Sequence, residues 1–192
     1  MKEHLDNIGI PYQFIFGKKF ENSAVTNPDD SCWKLSEFSE QPNYLSRAYS
    51  CANGHREICE TFLSENDVDW ALACEDDCLF SVDKIKDEIN IILENFTEDW
   101  YHLSTEAYWL YTGKIKEIEP YIQLKKLNDG RSSMCYLMNK TFAKKYMNDL
   151  TPIIAPNDVT MWRTNKYIPA IYGVHIQFSE QQKHSLIGNK HI

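Results

Sequence analysis

The chain has 192 residues, of which 43% are hydrophobic and 13% aromatic, so it can build one packed core and is not a disordered chain. Its formal net charge is −8 and its pI about 5.2, and an acidic surface repels phosphate backbones, which argues against general nucleic-acid binding. A substrate that carries phosphate would need a local cation, and a bound divalent metal would supply that charge.

The start of the chain, residues 1–6, contains no apolar segment of the kind found in a signal peptide. No stretch approaches the ~20 apolar residues of a membrane span. The six cysteines include no C-x-x-C pair. We therefore expect a cytoplasmic protein with reduced thiols, most of which act as small apolar core residues.

In chain order, the pattern first predicts the end of a helix over residues 2–8 and a strand over residues 12–16. Residues 21–43 are polar and predict an irregular loop. Residues 44–63 predict a helix, because side chains at alternating spacings of three and four share one face, namely Leu45, Ala48, Ala52, His55, Cys59 and Phe62.

Residues 70–74 are apolar without polar alternation, which is typical of a strand buried on both faces of a mainly parallel sheet. Ser81 can cap a following helix that extends to Phe96. Residues 100–103 predict another short strand. The alternation of helices with strands indicates an α/β domain.

Two more strands are predicted over residues 121–127 and 134–138, joined by the turn signal Asn128-Asp129-Gly130. A short helix is predicted over Thr141–Asn148. Residues 167–178 have an extended pattern.

Glu75, Asp76 and Asp77, here called the acidic turn, directly follow the strand predicted at residues 70–74. Carboxylates this close repel one another, and a hard divalent cation with oxygen ligands relieves the repulsion. Ligands of open α/β sheets also gather at the carboxyl ends of the strands. A solvated acidic turn has the same sequence, so the triplet alone leaves both interpretations open.

Segments on both sides of the acidic turn follow a fixed order. They are Ser50-Cys51-Ala52-Asn53-Gly54-His55, Trp70 to Asp77, Ser132 to Lys145, Pro156-Asn157-Asp158, and Gln177 with Ser185-Leu186-Ile187. In this order they resemble glycosyltransferase family 25, the lipooligosaccharide galactosyltransferase-like group. The resemblance covers most of the chain from Tyr44 onward.

This resemblance implies a single domain over residues 1–192 with a GT-A-like, Rossmann-like fold, in which helices flank a mainly parallel sheet. It also implies a metal-dependent, inverting hexosyltransferase that transfers a sugar, most commonly galactose in the family. The donor would be a UDP-sugar, the acceptor a glycan or protein as in lipopolysaccharide biosynthesis, and the cofactor Mn²⁺ or Mg²⁺. Oligomeric state and peripheral membrane association are left open.

Two other functions compete with this one. Family members usually begin with a strand and an Arg-rich turn that help hold the nucleotide, whereas this chain begins at what resembles the following helix. That departure favours a catalytically inactive carbohydrate- or metal-binding domain. An unrelated acidic interaction module is the third hypothesis, and it predicts that the acidic turn points into water.

The resemblance implies a metal site at Glu75 and Asp77, with Asp76 turned toward the nucleotide ribose. His184 is a further candidate metal ligand from the C-terminal segment, although a mobile terminal histidine is the alternative. Carboxylate oxygens suit these ions, which keep some water and substrate ligands.

Asp158 is the candidate catalytic base that takes the acceptor proton, and its alternative role is a helix cap. Arg131 and Ser185 are candidates to bind the nucleotide diphosphate. Arg131 is otherwise a solvated turn residue.

His55 is the remaining candidate for donor binding, and its alternative is a satisfied core histidine. With Cys51 and Cys59 it also forms an i, i+4, i+8 stripe that suggests zinc. One straight helix cannot wrap three ligands tetrahedrally, and no fourth ligand is evident, so we reject the zinc interpretation of this stripe.

Overall fold

The computed structural model describes residues 5–7, 9, 11–18, 43–76, 78–80, 87, 89–90, 93–94, 102–104, 110–119, 122–129, 133–166, 172–174 and 179–181. The helices whose two ends are both described are α1 (Tyr44–Ser64), α2 (Lys140–Asp149) and α3 (Asn157–Lys166). Its strands are β1 (Trp70–Cys74), β2 (Cys78–Phe80), β3 (His102–Ser104), β4 (Leu110–Glu119), β5 (Ile122–Asp129), β6 (Cys135–Asn139), β7 (Tyr172–Val174) and β8 (Ser179–Gln181).

The described strands form three groups, in which every pair is antiparallel. Strand β6 lies between β1 and β3, β5 lies between β4 and β7, and β2 pairs with β8. Because β1 and β3 are both antiparallel to β6, they run parallel to each other. These strand pairs neither confirm nor contradict the GT-A-like, mainly parallel sheet, which therefore stays a prediction.

Helix α1 confirms the prediction for residues 44–63. It starts after Asn43, whose φ of 60° is left-handed and stops any helix from extending further back. It ends where the Glu65 N–H donates to the Phe62 carbonyl. Of the predicted stripe, Leu45 is half-buried and the others are buried, namely Ala48, Ala52, His55, Cys59 and Phe62.

The core lies where α1 and α2 meet the sheet around β6. The first four residues of β6 are buried, and α2 follows it at once, capped by the Asn139 side chain that accepts from the Phe142 N–H at 2.9 Å. The rings of Tyr136, Phe142 and Tyr146 pack together at centroid distances of 5.2–6.4 Å. The buried cluster is Ala52, Cys59, Phe62, Ala73, Tyr136, Met138, Phe142, Ala143, Tyr146, Leu150, Ile153 and Met161.

Helix α3 packs against α2 through a polar contact. The Asp149 carboxylate, at the end of α2, accepts from the fully buried Thr164 hydroxyl at 2.7 Å and also from Lys145. From the sequence, a helix beginning here was expected only through the alternative role of Asp158 as a helix cap. It matters for the site because it carries Asp158.

Three predictions about strands were wrong. Residues 12–16 have no regular secondary structure. Strands β5 and β6 do not form the hairpin predicted around Asn128-Asp129-Gly130, since they belong to different sheets. Strand β1 is not buried on both faces, because Ala73 is its one fully buried residue.

Other predicted elements are present with shifted bounds. The helix at 141–148 is α2, the strand at 100–103 is β3, and β7 lies within the extended 167–178 segment. The predicted N-terminal helix is seen at residues 5–7. After it, the Gly9 N–H donates to the Leu5 carbonyl, and Gly9 has a left-handed φ of 69°.

The described parts of the 81–96 segment are helical, at residues 87, 89–90 and 93–94. The predicted loop over 21–43 lies outside the described residues except for Asn43. Within the part of the chain that is described, no helix has the length and apolar character needed to cross a membrane.

Candidate functional site

The acidic turn begins where β1 leaves the sheet. The Glu75 N–H donates to the Met134 carbonyl at 2.8 Å, which continues the pairing of β1 with β6 by one residue. The Cys78 N–H then donates to the Glu75 carbonyl at 3.1 Å, which closes a four-residue turn. Asp76 is exposed on this turn, and Asp77 lies outside the described residues.

The carboxylate of Glu75 points toward α1 and the start of β6. Its Oε1 accepts from the Ser133 hydroxyl at 2.9 Å and lies 3.4 Å from His55 Nε2 and 3.9 Å from Cys51 Sγ. The side chain is only 22% exposed. The interaction-module hypothesis expected Glu75 to point into water, and for this residue that expectation is wrong.

His55 links the acidic turn to the core. Its ring is buried, with 3% of the residue exposed, and its Nδ1 lies 2.7 Å from the Tyr136 hydroxyl. A neutral ring with its proton on Nε2 satisfies both contacts, because Nε2–H then donates to Glu75 while Tyr136 donates to Nδ1. The two rings also stack, with centroids 5.6 Å apart.

These contacts set the ionisation of Glu75. Burial alone would raise the pKa of the carboxyl group, but the hydrogen bonds from His55, Ser133 and Cys51 outweigh burial and hold the pKa of Glu75 below its usual value. Burial raises the pKa of Tyr136 well above that of a free phenol, so its hydroxyl keeps its proton as a donor. The site therefore presents an ionised, oriented carboxylate.

Asp158 lies in the first turn of α3, where a negative charge is favourable. Its Oδ1 accepts from the Val159 N–H at 2.8 Å. The neighbouring Asn157 accepts from the Tyr146 hydroxyl, at 3.2 Å through its carbonyl oxygen and also through its side chain. Asp158 is the second residue of the helix and therefore does not precede it as an N-cap would.

Tyr146 connects Asp158 to the Glu75 side of the site. Its ring meets the Tyr136 ring edge to face, with centroids 6.4 Å apart. Burial chiefly raises the pKa of Tyr146, and the charge of Asp158 adds to the rise. Tyr136 and Tyr146 thus join the helix that carries Asp158 to the His55–Glu75 pair.

Of the predicted site residues, the structure brings His55 and Glu75 into direct contact and leaves Asp76 exposed beside them. Asp158 is described on α3. The other candidates, Asp77, Arg131, His184 and Ser185, lie outside the described residues.

Sequence reasoning did not select Ser133 or Tyr136 as site residues. The signal for Tyr136 was available, since a tyrosine inside a buried strand needs a partner for its hydroxyl. Ser133 carried no signal of its own, because its contact depends on the register of β6 against β1.

The donor atoms fit a hard divalent ion. The Glu75 carboxylate is ionised and held in place by Ser133 and His55, and Asp76 offers a second carboxylate on the same turn. Such oxygens are what Mn²⁺ and Mg²⁺ prefer. The ligand atoms of Cys51, His55 and Glu75 also lie within 4.8 Å of one another. Glu75, and not Cys59, is therefore the third possible metal ligand beside Cys51 and His55.

The chain matches no protein-family model, and no curated protein matches it significantly.

Proposed function

We propose that this chain is an inverting, metal-dependent glycosyltransferase that transfers a hexose from a nucleotide diphosphate donor to a glycan or protein acceptor. The observation that supports it most directly is the ionised Glu75 carboxylate, fixed at the carboxyl end of β1 by Ser133 and His55. Its place in the ordered series that resembles glycosyltransferase family 25 supports the same function.

A divalent ion, Mn²⁺ or Mg²⁺, would be held by Glu75 and Asp77, with His184 as a further ligand. When bound, it stabilises the negative charge that develops on the departing nucleoside diphosphate. Asp76, which is exposed on the turn, would meet the ribose of the nucleotide. Arg131 and Ser185 are assigned to the nucleotide and its phosphates.

Two buried residues, Ser133 and His55, hold the Glu75 carboxylate in one orientation. The Ser133 hydroxyl and His55 Nε2 both face the same oxygen of Glu75, so the side chain is oriented before any ligand arrives. An oriented charge avoids reorganisation during the reaction, which is where electrostatic catalysis gains most. In this proposal His55 acts through Glu75, and its direct contact with the donor stays a prediction.

Asp158 would take the proton of the acceptor hydroxyl as that oxygen attacks the anomeric carbon and the bond to the diphosphate breaks. Its carboxylate is half-buried and sits at a helix N-terminus, which favours the ionised form that a base requires. Tyr146 positions it by holding Asn157.

Thermal unfolding with Mn²⁺ and a panel of UDP-sugars tests the proposal. A ligand present at one hundred times its Kd stabilises the native state by about 2.7 kcal/mol, so the right donor with metal should raise Tm beyond metal alone. Asp77→Asn should remove this rise. Asp67→Asn, at an exposed aspartate before β1, is the matched control and should keep it.

Absence of any donor-dependent rise, or a full rise in Asp77→Asn, would overturn the site assignment. UDP release in the presence of acceptor glycans then separates transfer from binding.

One observation favours the catalytically inactive alternative. Oε1 of Glu75 is already occupied by internal donors, as in a carboxylate that anchors a turn. That alternative expects a rise in Tm with metal or carbohydrate and no UDP release with any donor and acceptor.

A further inference from the structure

Three cysteine thiols meet beside the acidic turn, in a cluster that the proposed transfer reaction does not use. Cys74 ends β1, Cys78 begins β2, and Cys135 begins β6. Their sulfur atoms all lie within 4.8 Å of one another, and Cys74 Sγ is 3.4 Å from Cys135 Sγ.

The backbone brings these thiols together. Cys74 and Cys135 are directly opposite in the β1–β6 register, and the next pair, Glu75 and Met134, carries the hydrogen bond. Cys74 and Cys135 therefore occupy a non-hydrogen-bonded position, where side chains approach most closely. The turn closed by the hydrogen bond from Cys78 to Glu75 then folds Cys78 back toward Cys74.

We propose that Cys74, Cys78 and Cys135 bind one thiophilic metal ion, Zn²⁺, at a site separate from the carboxylate site of Glu75. A tetrahedral ion with Zn–S bonds of about 2.3 Å requires sulfur atoms about 3.8 Å apart. The observed separations, from 3.4 Å up to a limit of 4.8 Å, bracket that value.

The chemistry of the three groups selects the ion. Thiolates are soft ligands that favour zinc over Mn²⁺ or Mg²⁺, whereas the neighbouring carboxylates have the opposite preference. Each thiol that coordinates loses its proton to solvent. Cys78 and Cys135 are buried and Cys74 is half-buried, so the ion enters past Cys74 and leaves a fourth position for water or another donor.

Binding would also link three strands. One ion would join the ends of β1, β2 and β6 and close the loop that carries Glu75 and Asp76. Cys51 and Cys59, which lie on α1, are not members of this cluster.

The test uses the full chain, reduced with a phosphine that is not itself a thiol, and Co²⁺ as a spectroscopic substitute for zinc. We expect one equivalent of Co²⁺ to give intense thiolate-to-metal charge-transfer absorption, reversed by Zn²⁺. Cys78→Ala and Cys135→Ala should each weaken binding by more than about tenfold, since even residues that only orient ligands contribute 10–100-fold. Cys59→Ala, at another buried thiol, and Cys51→Ala should bind as the unaltered chain does.

Lack of the charge-transfer absorption in the unaltered chain would overturn the proposal. So would its survival in Cys135→Ala together with its loss in Cys51→Ala, because the ion would then lie with Cys51, His55 and Glu75. Binding of Mn²⁺ and donor is read separately, so failure of this site does not decide the transferase proposal.

A second measurement needs no variant and holds even if the substituted chains fail to fold. Cys74 and Cys51 are both half-buried, and their rates of alkylation can be compared by mass spectrometry with and without Zn²⁺. We expect zinc to slow alkylation of Cys74 and leave that of Cys51 unchanged. Equal rates for Cys74 with and without zinc would overturn the proposal.

Discussion

The hydroxyl of Tyr136 lies 2.7 Å from Nδ1 of His55, although 81 residues separate the two in the chain. This contact fixes the orientation of the imidazole, because the other ring nitrogen, Nε2, is then directed at the Glu75 carboxylate. A core residue on β6 thus determines the orientation of an acid at the end of β1.

Tyr136→Phe should lower the free energy of unfolding by about 1–3 kcal/mol, because it leaves buried Nδ1 of His55 without its donor. Tyr12→Phe is the matched control. Its hydroxyl also has a partner, Asp6 at 2.6 Å, but the pair is exposed, so the loss should be about 0.5 kcal/mol or less. Urea denaturation measures both, and equal losses would contradict the structural role of Tyr136.

Glu75→Gln should change how stability depends on pH. The folded pKa of Glu75 lies below the unfolded value of about 4.3, so its charge contributes stability above that pH and loses it as pH falls through the folded pKa. The difference in stability between the unaltered chain and Glu75→Gln should therefore shrink as the pH falls below about 4.3.

Glu60→Gln serves as the control for that experiment, since its side chain is 54% exposed and lies on the same helix as His55. Unfolding curves recorded across the pH range give the free energy of unfolding of each variant. A difference between the unaltered chain and Glu75→Gln that does not shrink as the pH falls below about 4.3 would contradict the lowered pKa.

Tyr146→Phe removes the hydroxyl that holds Asn157 at the start of α3. If Asp158 is the base, kcat should fall between about tenfold and about a hundredfold through misplacement of its carboxylate, while KM for the donor stays unchanged. Thr151→Ala, which removes an exposed hydroxyl from the same connection between α2 and α3, should leave both constants unaltered. A rise in KM without loss of kcat would argue against this positioning role.

Phe142→Ala should destabilise the chain by about 3–5 kcal/mol, because a fully buried ring packed against Tyr136 and Tyr146 leaves a cavity. Phe16→Ala is the control, since Phe16 is 81% exposed and should cost about 0.5 kcal/mol or less. Thermal unfolding compares the two. A small effect at Phe142 would mean that the core around β6 is packed differently.

Local periodicity was enough to predict the helices with a clear apolar face. The stripe that includes Ala52, Cys59 and Phe62 predicted α1 to within one residue at its end. The apolar run at residues 70–74 predicted β1 in the same way. Both signals arise within one element, so they need no knowledge of partners.

Strand pairing could not be predicted from local signals. The turn at Asn128-Asp129-Gly130 suggested a hairpin, yet β6 pairs with β1, more than 60 residues earlier, because that register buries Tyr136, Leu137 and Met138. The alternating aromatics Tyr12 and Phe14 suggested a strand. They instead contact each other at 5.2 Å in an exposed, irregular segment.

The same limit applies to the site. The acidic turn was evident from three adjacent carboxylates, and His55 from its place on the face of α1. Their contact through Ser133 and Tyr136 depends on the register of β6, which no single segment reveals.

The long sequence separation between His55, Glu75 and Tyr136 also has a kinetic consequence. Contacts that close large loops form late in folding, because the chain loses conformational entropy before the favourable contacts are made. The hydrogen bonds of helix α1 are local, but the imidazole gains its two neighbours only after β6 has docked beside β1. During refolding, helical signal should therefore return before the Glu75 carboxylate acquires its native acidity.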